Sequence, residues 1–251
     1  MRTLKGTSHP YLERMKVRGK KQYFIATGIG LVLLIIGFTL ANLWVIVFGF
    51  LSLAFCGRYL YNRYTSEAGI KGETMVTAAL QQLDDSYYLI DDIILPRRGG
   101  NIDHVLLSPK GIFCIETKNW TGDIRCNRDE WSKKGKRRIY YVKSVSNQAW
   151  KNANDLSGLI RKRLNIGVSV TPICVFTDPS ARLKLNRPTL PVIRVAELTH
   201  YIRDATPQSH LTDEEILSIA QNILPKRLRQ PTICKEEEHG EEDKGGEVLK
   251  L

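Results

Sequence analysis

The clearest feature of the chain is an apolar stretch. After Lys21 the next charged residue is Arg58, and the interval divides into two apolar runs, Tyr23 to Leu40 and Leu43 to Tyr61, separated by Ala41-Asn42. A helix crosses a ~30 Å hydrocarbon layer with about 20 residues. The stretch is too long for one crossing and suits two, with a tight turn near 41–43. Beyond it the pattern becomes that of a globular domain. Glu67 to Leu83 has apolar or small residues at Ile70, Met75, Val76, Ala79, Leu80 and Leu83, a helical period. Tyr87 to Leu95, Asn101 to Ser108 and Ile112 to Lys118 read as three strands of an antiparallel meander, joined by turns at Arg97-Arg98-Gly99-Gly100 and Pro109-Lys110-Gly111.

Thr121 to Tyr141 reads as further short strands or a hairpin, with Lys133 to Lys136 at its tip. Ser146 to Leu164 reads as a second helix, Val168 to Thr177 and Pro191 to Val195 as strands, and Glu197 to Asp204 and Asp213 to Leu224 as terminal helices. Thr212 and Glu215 have capping-box spacing at the last of these. The order helix, three strands, helix, strand predicts an α/β fold: a mixed central sheet with helices on either side. The expected divisions are a basic N-terminus (1–22), a two-helix membrane hairpin (23–61), a soluble domain (67–200), C-terminal helices (201–225) and a disordered charged tail (226–251).

Charge adds a topology and a class of partner. Arg14, Lys16, Arg18, Lys20 and Lys21 precede the apolar stretch, and Arg58, Arg63 and Lys71 follow it. Cationic flanks on both sides place both ends, and the soluble domain, in the cytoplasm of a multi-pass cell-membrane protein. The net charge is +11; the tail from Lys235 holds seven acids and three lysines, which leaves +15 on residues 1–234. Such a body favours polyanions, nucleic acid or anionic lipid. Five cysteines without a CxxC pair exclude a zinc-finger pattern and fit reduced thiols.

Candidate chemistry lies in two of the strands. Asp103 sits in Asn101-Ile102-Asp103-His104-Val105, and Glu116 and Lys118 in Ile115-Glu116-Thr117-Lys118. Strand alternation puts Glu116 and Lys118 on one face and turns His104 away from Asp103. An acid in the apolar run Ile112 to Ile115 needs a partner or a metal. Two carboxylates can hold Mg²⁺ or Mn²⁺ with positions left for water and a phosphate oxygen, and a lysine can assist an attacking water. Alone, the pattern fits a surface salt bridge equally well.

The run Gly72-Glu73 to Val76, the strand around Asp103, the stretch Gly111 to Gly122 with Glu116-Thr117-Lys118-Asn119-Trp120-Thr121-Gly122, and Ser146-Asn147-Gln148 together resemble the NERD (nuclease-related) domain of the PD-(D/E)XK nuclease-like superfamily. The resemblance covers roughly Glu67 to Phe176. It implies a restriction-endonuclease-like αβββαβ core and metal-dependent phosphodiester hydrolysis in DNA or RNA. It also implies roles: Asp103 and Glu116 as metal ligands, Lys118 as the catalytic lysine, Glu73 as an accessory acid and Gln148 as a polar site residue. No organic cofactor is implied. Lys133, Lys134, Lys136, Arg137 and Arg138 form a candidate nucleic-acid-binding cluster, with Arg161 to Arg163 as a second. Trp120 and Trp131 either stack on bases or close an apolar edge. Asp155 and Asp178 read as cap or turn residues. The alternative function is an inactive membrane-tethered module that binds nucleic acid or a partner.

Overall fold

The computed structural model describes residues 1–3, 10–95, 101–135 and 138–224, with side chains in all of these except 10–22. The Arg97–Gly100 turn, Lys136, Arg137 and the tail beyond Leu224 lie outside those residues.

Helices α1 (Pro10–Thr39) and α2 (Leu43–Leu80) run antiparallel. Ala41 takes a left-handed φ of 47° between them, and the Asn42 side chain caps α2 by accepting from the Trp44 and Val45 amides. The two helices approach through glycines. A Cβ on Gly37 would lie 2.7 Å from Ile46, and one on Gly49 2.7 Å from Leu34. Two polar contacts join them as well, Ser52 to the Ala26 carbonyl (2.7 Å) and Thr27 to Cys56 (3.2 Å). Close backbones and hydroxyl cross-links are the means of packing available to helices in lipid. Phe24, Ile35, Phe38, Phe48, Phe50 and Phe55 point outward. Helix α2 is long and apolar enough to cross a membrane, and the apolar part of α1, Tyr23–Thr39, is shorter.

The helix expected to begin at Glu67 is instead the continuation of α2. Nothing between Arg58 and Ser66 breaks a helix: the sequence turns polar without a proline. One continuous helix therefore runs from the apolar segment into the core of the α/β part.

That part is built on a six-stranded sheet of β1 (Arg2–Thr3), β2 (Tyr88–Ile94), β3 (Asn101–Ser108), β4 (Gly111–Lys118), β8 (Val170–Phe176) and β10 (Val192–Arg194), adjacent in that order. Strands β2 to β4 are antiparallel, whereas β8 runs parallel to β4. The end of α2 and α4 (Val195–Asp204) cover one face through Val76, Leu80, Leu106, Phe113, Ile115, Leu198 and Ile202. Helices α3 (Val145–Leu164) and α5 (Asp213–Ile223) cover the other through Ile90, Val105, Cys114, Leu156, Ile160 and Ile216. The Thr212–Glu215 capping box forms at α5. The protein is thus a mixed α/β structure with a sheet between helices.

A second sheet has the order β7 (Ile139–Val142), β6 (Glu130–Lys134), β5 (Asp123–Asn127), β9 (Arg182–Asn186). Its first turn falls at Arg128-Asp129, where Arg128 has φ 54°. Lys133 and Lys134 are the last residues of β6, and the β6–β7 hairpin turns just beyond them, with Lys134 paired to Ile139 and Gly135 donating to the Arg138 carbonyl at 2.8 Å. Strand β9 escapes the sequence pattern because Arg-Leu-Lys-Leu-Asn is a short, largely exposed edge strand. Ile124, Trp131, Cys174 and Phe176 join this sheet to the larger one.

Candidate active site

The β3–β4 ladder stops at the pair His104–Ile115. Where the next partners would meet, the Asp103 carboxylate accepts the Thr117 amide at 2.8 Å. The side chain replaces a backbone partner, so one carboxylate is fixed at the mouth of the gap between the strands. One residue before Thr117, Glu116 is almost fully buried. Lys118 donates to its Oε1 and Asn152 of α3 to its Oε2 (3.2 Å). Lys118 also reaches Gln148 Oε1 at 3.4 Å. Gln148 and Asn152 stand one turn apart at the start of α3, where Ser144 caps the helix by accepting from Asn147. Helix α2 brings Glu73 from the other side.

Glu73, Asp103, Glu116, Lys118 and Gln148 line one cleft of about 760 Å³, together with Asn119, Trp120, Lys133 and Asp178. Its outer wall includes Tyr61 and Tyr64, at the end of the apolar run of α2. Lys133 stands over the Trp120 ring at 5.0 Å. The other basic residues separate: Lys134 follows on the opposite face of β6, and Arg138 lies over Tyr140. Trp131 is core, stacked on Phe176. His104 is fully buried and not part of the cleft; its Nδ1 meets Asp91 at 2.7 Å. Asp178 accepts from the Ser180 amide in a turn, but Asp155 is within α3, 3.8 Å from Lys151, and not a turn residue. Asn119 and Asn152 were not singled out from the sequence. The spacing of Asn152 from Gln148, one helical turn, was the available signal.

The site concentrates negative charge in a dry place. Burial, then the Asp103 charge, raises the Glu116 carboxyl to about 7 against the pull of Lys118. Burial and Asp103 likewise raise Glu73 to about 7. Burial alone would lower Lys118, yet the Glu116 charge and hydrogen bond carry it above the usual lysine value. Excess carboxylate facing a cleft is the condition that a cation relieves. Among the described residues no three His, Cys, Asp or Glu side chains converge as a ligand set. Two carboxylates are nonetheless enough for Mg²⁺, which keeps several waters and binds through one or two acids and the substrate phosphate. Asp103 and Glu116 fit that requirement.

Gly72 sets the depth of the cleft. A Cβ there would lie 2.9 Å from Asn119 Cβ and 2.9 Å from Thr177 Oγ1. These are the residues that clamp α2 to the sheet: Asn119 donates to the Ala68 carbonyl (2.8 Å) and accepts from Thr177 (3.1 Å). Gly72→Ala is expected to push α2 outward, at a cost of about 1–3 kcal/mol, and to displace the adjacent Glu73. Thermal unfolding of the full chain checks this; an unchanged Tm would mean that the contact relaxes freely.

Residues 68–177 match the family model of the nuclease-related domain. That stretch runs from the clamped part of α2 to the end of β8 and includes every residue of the cleft constellation. The chain is also similar to an uncharacterized protein of Bacillus anthracis, 28% identical over 176 residues, covering 66% of this chain and 80% of the relative. No solved structure matches.

Proposed function

We propose that the protein is a membrane-anchored, metal-dependent nuclease that hydrolyses phosphodiester bonds in nucleic acid. The observation that carries this reading is the convergence of Glu73, Asp103, Glu116, Lys118 and Gln148 on one cleft, within the stretch similar to nuclease-related domains. The order α2, β2, β3, β4, α3, β8 supports a nuclease-like αβββαβ core.

Asp103 and Glu116 would hold Mg²⁺ or Mn²⁺, which when bound supplies an acidified water and neutralises charge on the phosphate. Lys118 places a cation where negative charge grows on the phosphoryl oxygens. Gln148 steadies that ammonium, and Asn152 fixes the Glu116 carboxyl by its second oxygen. Glu73, whose carboxyl burial holds well above the usual carboxylate range, would be the group to carry a proton toward the leaving oxygen. Burial of the carboxylates restricts water and strengthens each of these interactions.

The membrane assignment rests on the apolar hairpin and its outward-facing aromatic residues. Lysine and arginine on both flanks of the stretch support a topology with the cleft on the cytoplasmic side. Because α2 is unbroken, Tyr61 at the edge of the apolar run and Glu73 in the cleft belong to one rod. At about 1.5 Å per residue they are ~18 Å apart along it. The cleft therefore opens beside the bilayer surface.

The test uses the full chain in nanodiscs of neutral lipid with labelled single- and double-stranded DNA and RNA, supplied with Mg²⁺, Mn²⁺ or a chelator. Cleavage is expected with either metal, to stop with chelator and to vanish in Glu116→Ala. Intact substrates under every condition, from a protein that still binds them, would overturn the enzyme reading in favour of a tethered binding module.

A further inference from the structure

The face of the small sheet that points away from the core is not explained by the cleft. Strand register aligns its side chains in rows. Tyr141 pairs with Ser132, Ser132 with Arg125, and Arg125 with Lys184, so these four cross β7, β6, β5 and β9 in one line. Asp123, Lys134 and Arg182 form the row on one side of it, and Asn127 and Asn186 belong to the row on the other. The face is a shallow concavity of about 610 Å³, lined by Arg125, Asn127, Ser132, Tyr141, Lys184 and Asn186, with Glu130 and Ile139 at its margin.

Three features of this row are unfavourable for a face that meets only water. Arg125 and Lys184 are like charges directly opposite each other, an arrangement that destabilises a sheet. Among the described residues neither forms a salt bridge: Asp123, in the neighbouring row, is engaged by Arg182 at 2.6 Å, and Glu130 at the margin is the cross-strand partner of Asn127. The Arg125 Nε is buried without a hydrogen-bond partner among the described residues. Tyr141 presents its ring to solvent, 81% exposed, at the end of the row. An anion between Arg125 and Lys184 would relieve the first two, and a flat ring stacked on Tyr141 would cover the third.

We infer that this face is a platform for single-stranded nucleic acid: Arg125 and Lys184 take backbone phosphates, and Tyr141 stacks a base. With strands about 4.8 Å apart, the row from Tyr141 to Lys184 spans ~14 Å, the reach of about two nucleotides. An open sheet face with an exposed aromatic ring and flanking cations is the means by which proteins hold single strands. A duplex hides its base faces and gains nothing from Tyr141. The inference deepens the nuclease reading by naming a second contact outside the cleft. Strand β6 links the two, with Lys133 in the cleft and Ser132 and Lys134 on the platform.

The test measures equilibrium binding of a fluorescein-labelled oligo(dT) single strand to the full chain in neutral nanodiscs, with chelator present so that nothing is cut. Tyr141→Ala is expected to weaken binding about tenfold. Arg125→Ala with Lys184→Ala should reduce the slope of log affinity against log salt by about 1.4, two phosphate contacts on a single strand. Lys110→Ala, in the turn at the far end of the large sheet, controls for loss of a cation elsewhere on the molecule and should change little. The chelator takes cleavage out of this readout, so failure of the platform, seen in binding, and failure of the cleft, seen in metal-supported cleavage, are read separately. Equal losses in Lys110→Ala and in the platform variants, or no loss at Tyr141, would overturn the inference. So would platform variants that lose binding to phosphatidylserine vesicles but keep the oligonucleotide.

Discussion

Lys118→Ala is expected to slow phosphodiester cleavage by a factor of about 10² to 10³ while leaving the fold intact. The size is that of losing one preorganised group that meets charge developing in the transition state. Lys118 is positioned by two contacts, Glu116 and Gln148, at the end of β4. It is mostly buried, so solvent does not restore the missing cation. A purely structural role predicts something else: loss of Tm in proportion to loss of rate. Cation affinity separates the two. In the metal-free protein Lys118 occupies one oxygen of Glu116, so an entering cation must displace it. Lys118→Ala should therefore bind Mn²⁺ at least as tightly as the unaltered chain, whereas Glu116→Ala should bind it more weakly. Lys118→Arg keeps the charge but offers a planar fork in place of a compact ammonium, and its rate should fall between the two. Single-turnover cleavage together with Mn²⁺ titration by calorimetry measures both quantities. A rate within fivefold of the unaltered chain would remove Lys118 from the chemistry.

The large sheet and its helices were legible because their sequence periods are local. The short run Asn101 to Ser108 bounded by turn residues and the 3.6-residue spacing from Ile70 to Leu83 are properties of neighbouring residues, and both segments take the expected form, the helix ending at Leu80. The start of that first helix was not legible. Hydropathy changes at Arg58 although the helix continues, and polarity marks a change of surroundings, not a break in hydrogen bonding. Strand β9 was missed for a related reason. It is held by parallel pairing with β5, 59 residues earlier (Asp123 with Arg182), and its own five residues carry too little pattern to predict that.

The cleft shows the same division. Alternation alone places Glu116 beside Lys118, and the structure pairs them. That Asp103 would substitute for a ladder partner of Thr117 depends on where two strands part, which neither strand encodes by itself. The contacts of Asn152 and Asn119 form only when α3 and α2 are docked, since their partners are 36 and 51 residues away, and the one-turn spacing of Asn152 from Gln148 is the sole local hint. The basic cluster was legible as composition but not as a surface. Successive cations in a strand point to opposite faces, which sends Lys133 into the cleft and Lys134 to the platform.

Trp131→Ala is expected to cost about 3–5 kcal/mol, the range for removing a buried large aromatic side chain. The indole is 1% exposed and stacks on Phe176 at 5.7 Å with the planes 20° apart. Its Nε1 donates to Ser146 Oγ at 2.9 Å. The alanine variant therefore loses packing and leaves a fully buried Ser146 hydroxyl without that donor, a further penalty of about 1 kcal/mol or more. These contacts join the small sheet to α3 and β8, so the damage should be local first. Amide exchange should accelerate in β5, β6 and β9 while β2 and β3 stay protected, and the Tm should fall by about 10 °C or more. Trp131→Phe keeps most of the volume and loses the hydrogen bond, so its cost should be the smaller by at least half. The functional consequence follows from position. Phe176 is the register partner of Lys118 across β4 and β8, and Lys133, two residues from Trp131, roofs Trp120 in the cleft. Loosening the small sheet should thus lower cleavage even at temperatures where the large sheet is folded, with substrate affinity falling alongside rate. If exchange instead accelerates uniformly across both sheets, the two fold as one cooperative unit, and the platform cannot move independently of the cleft.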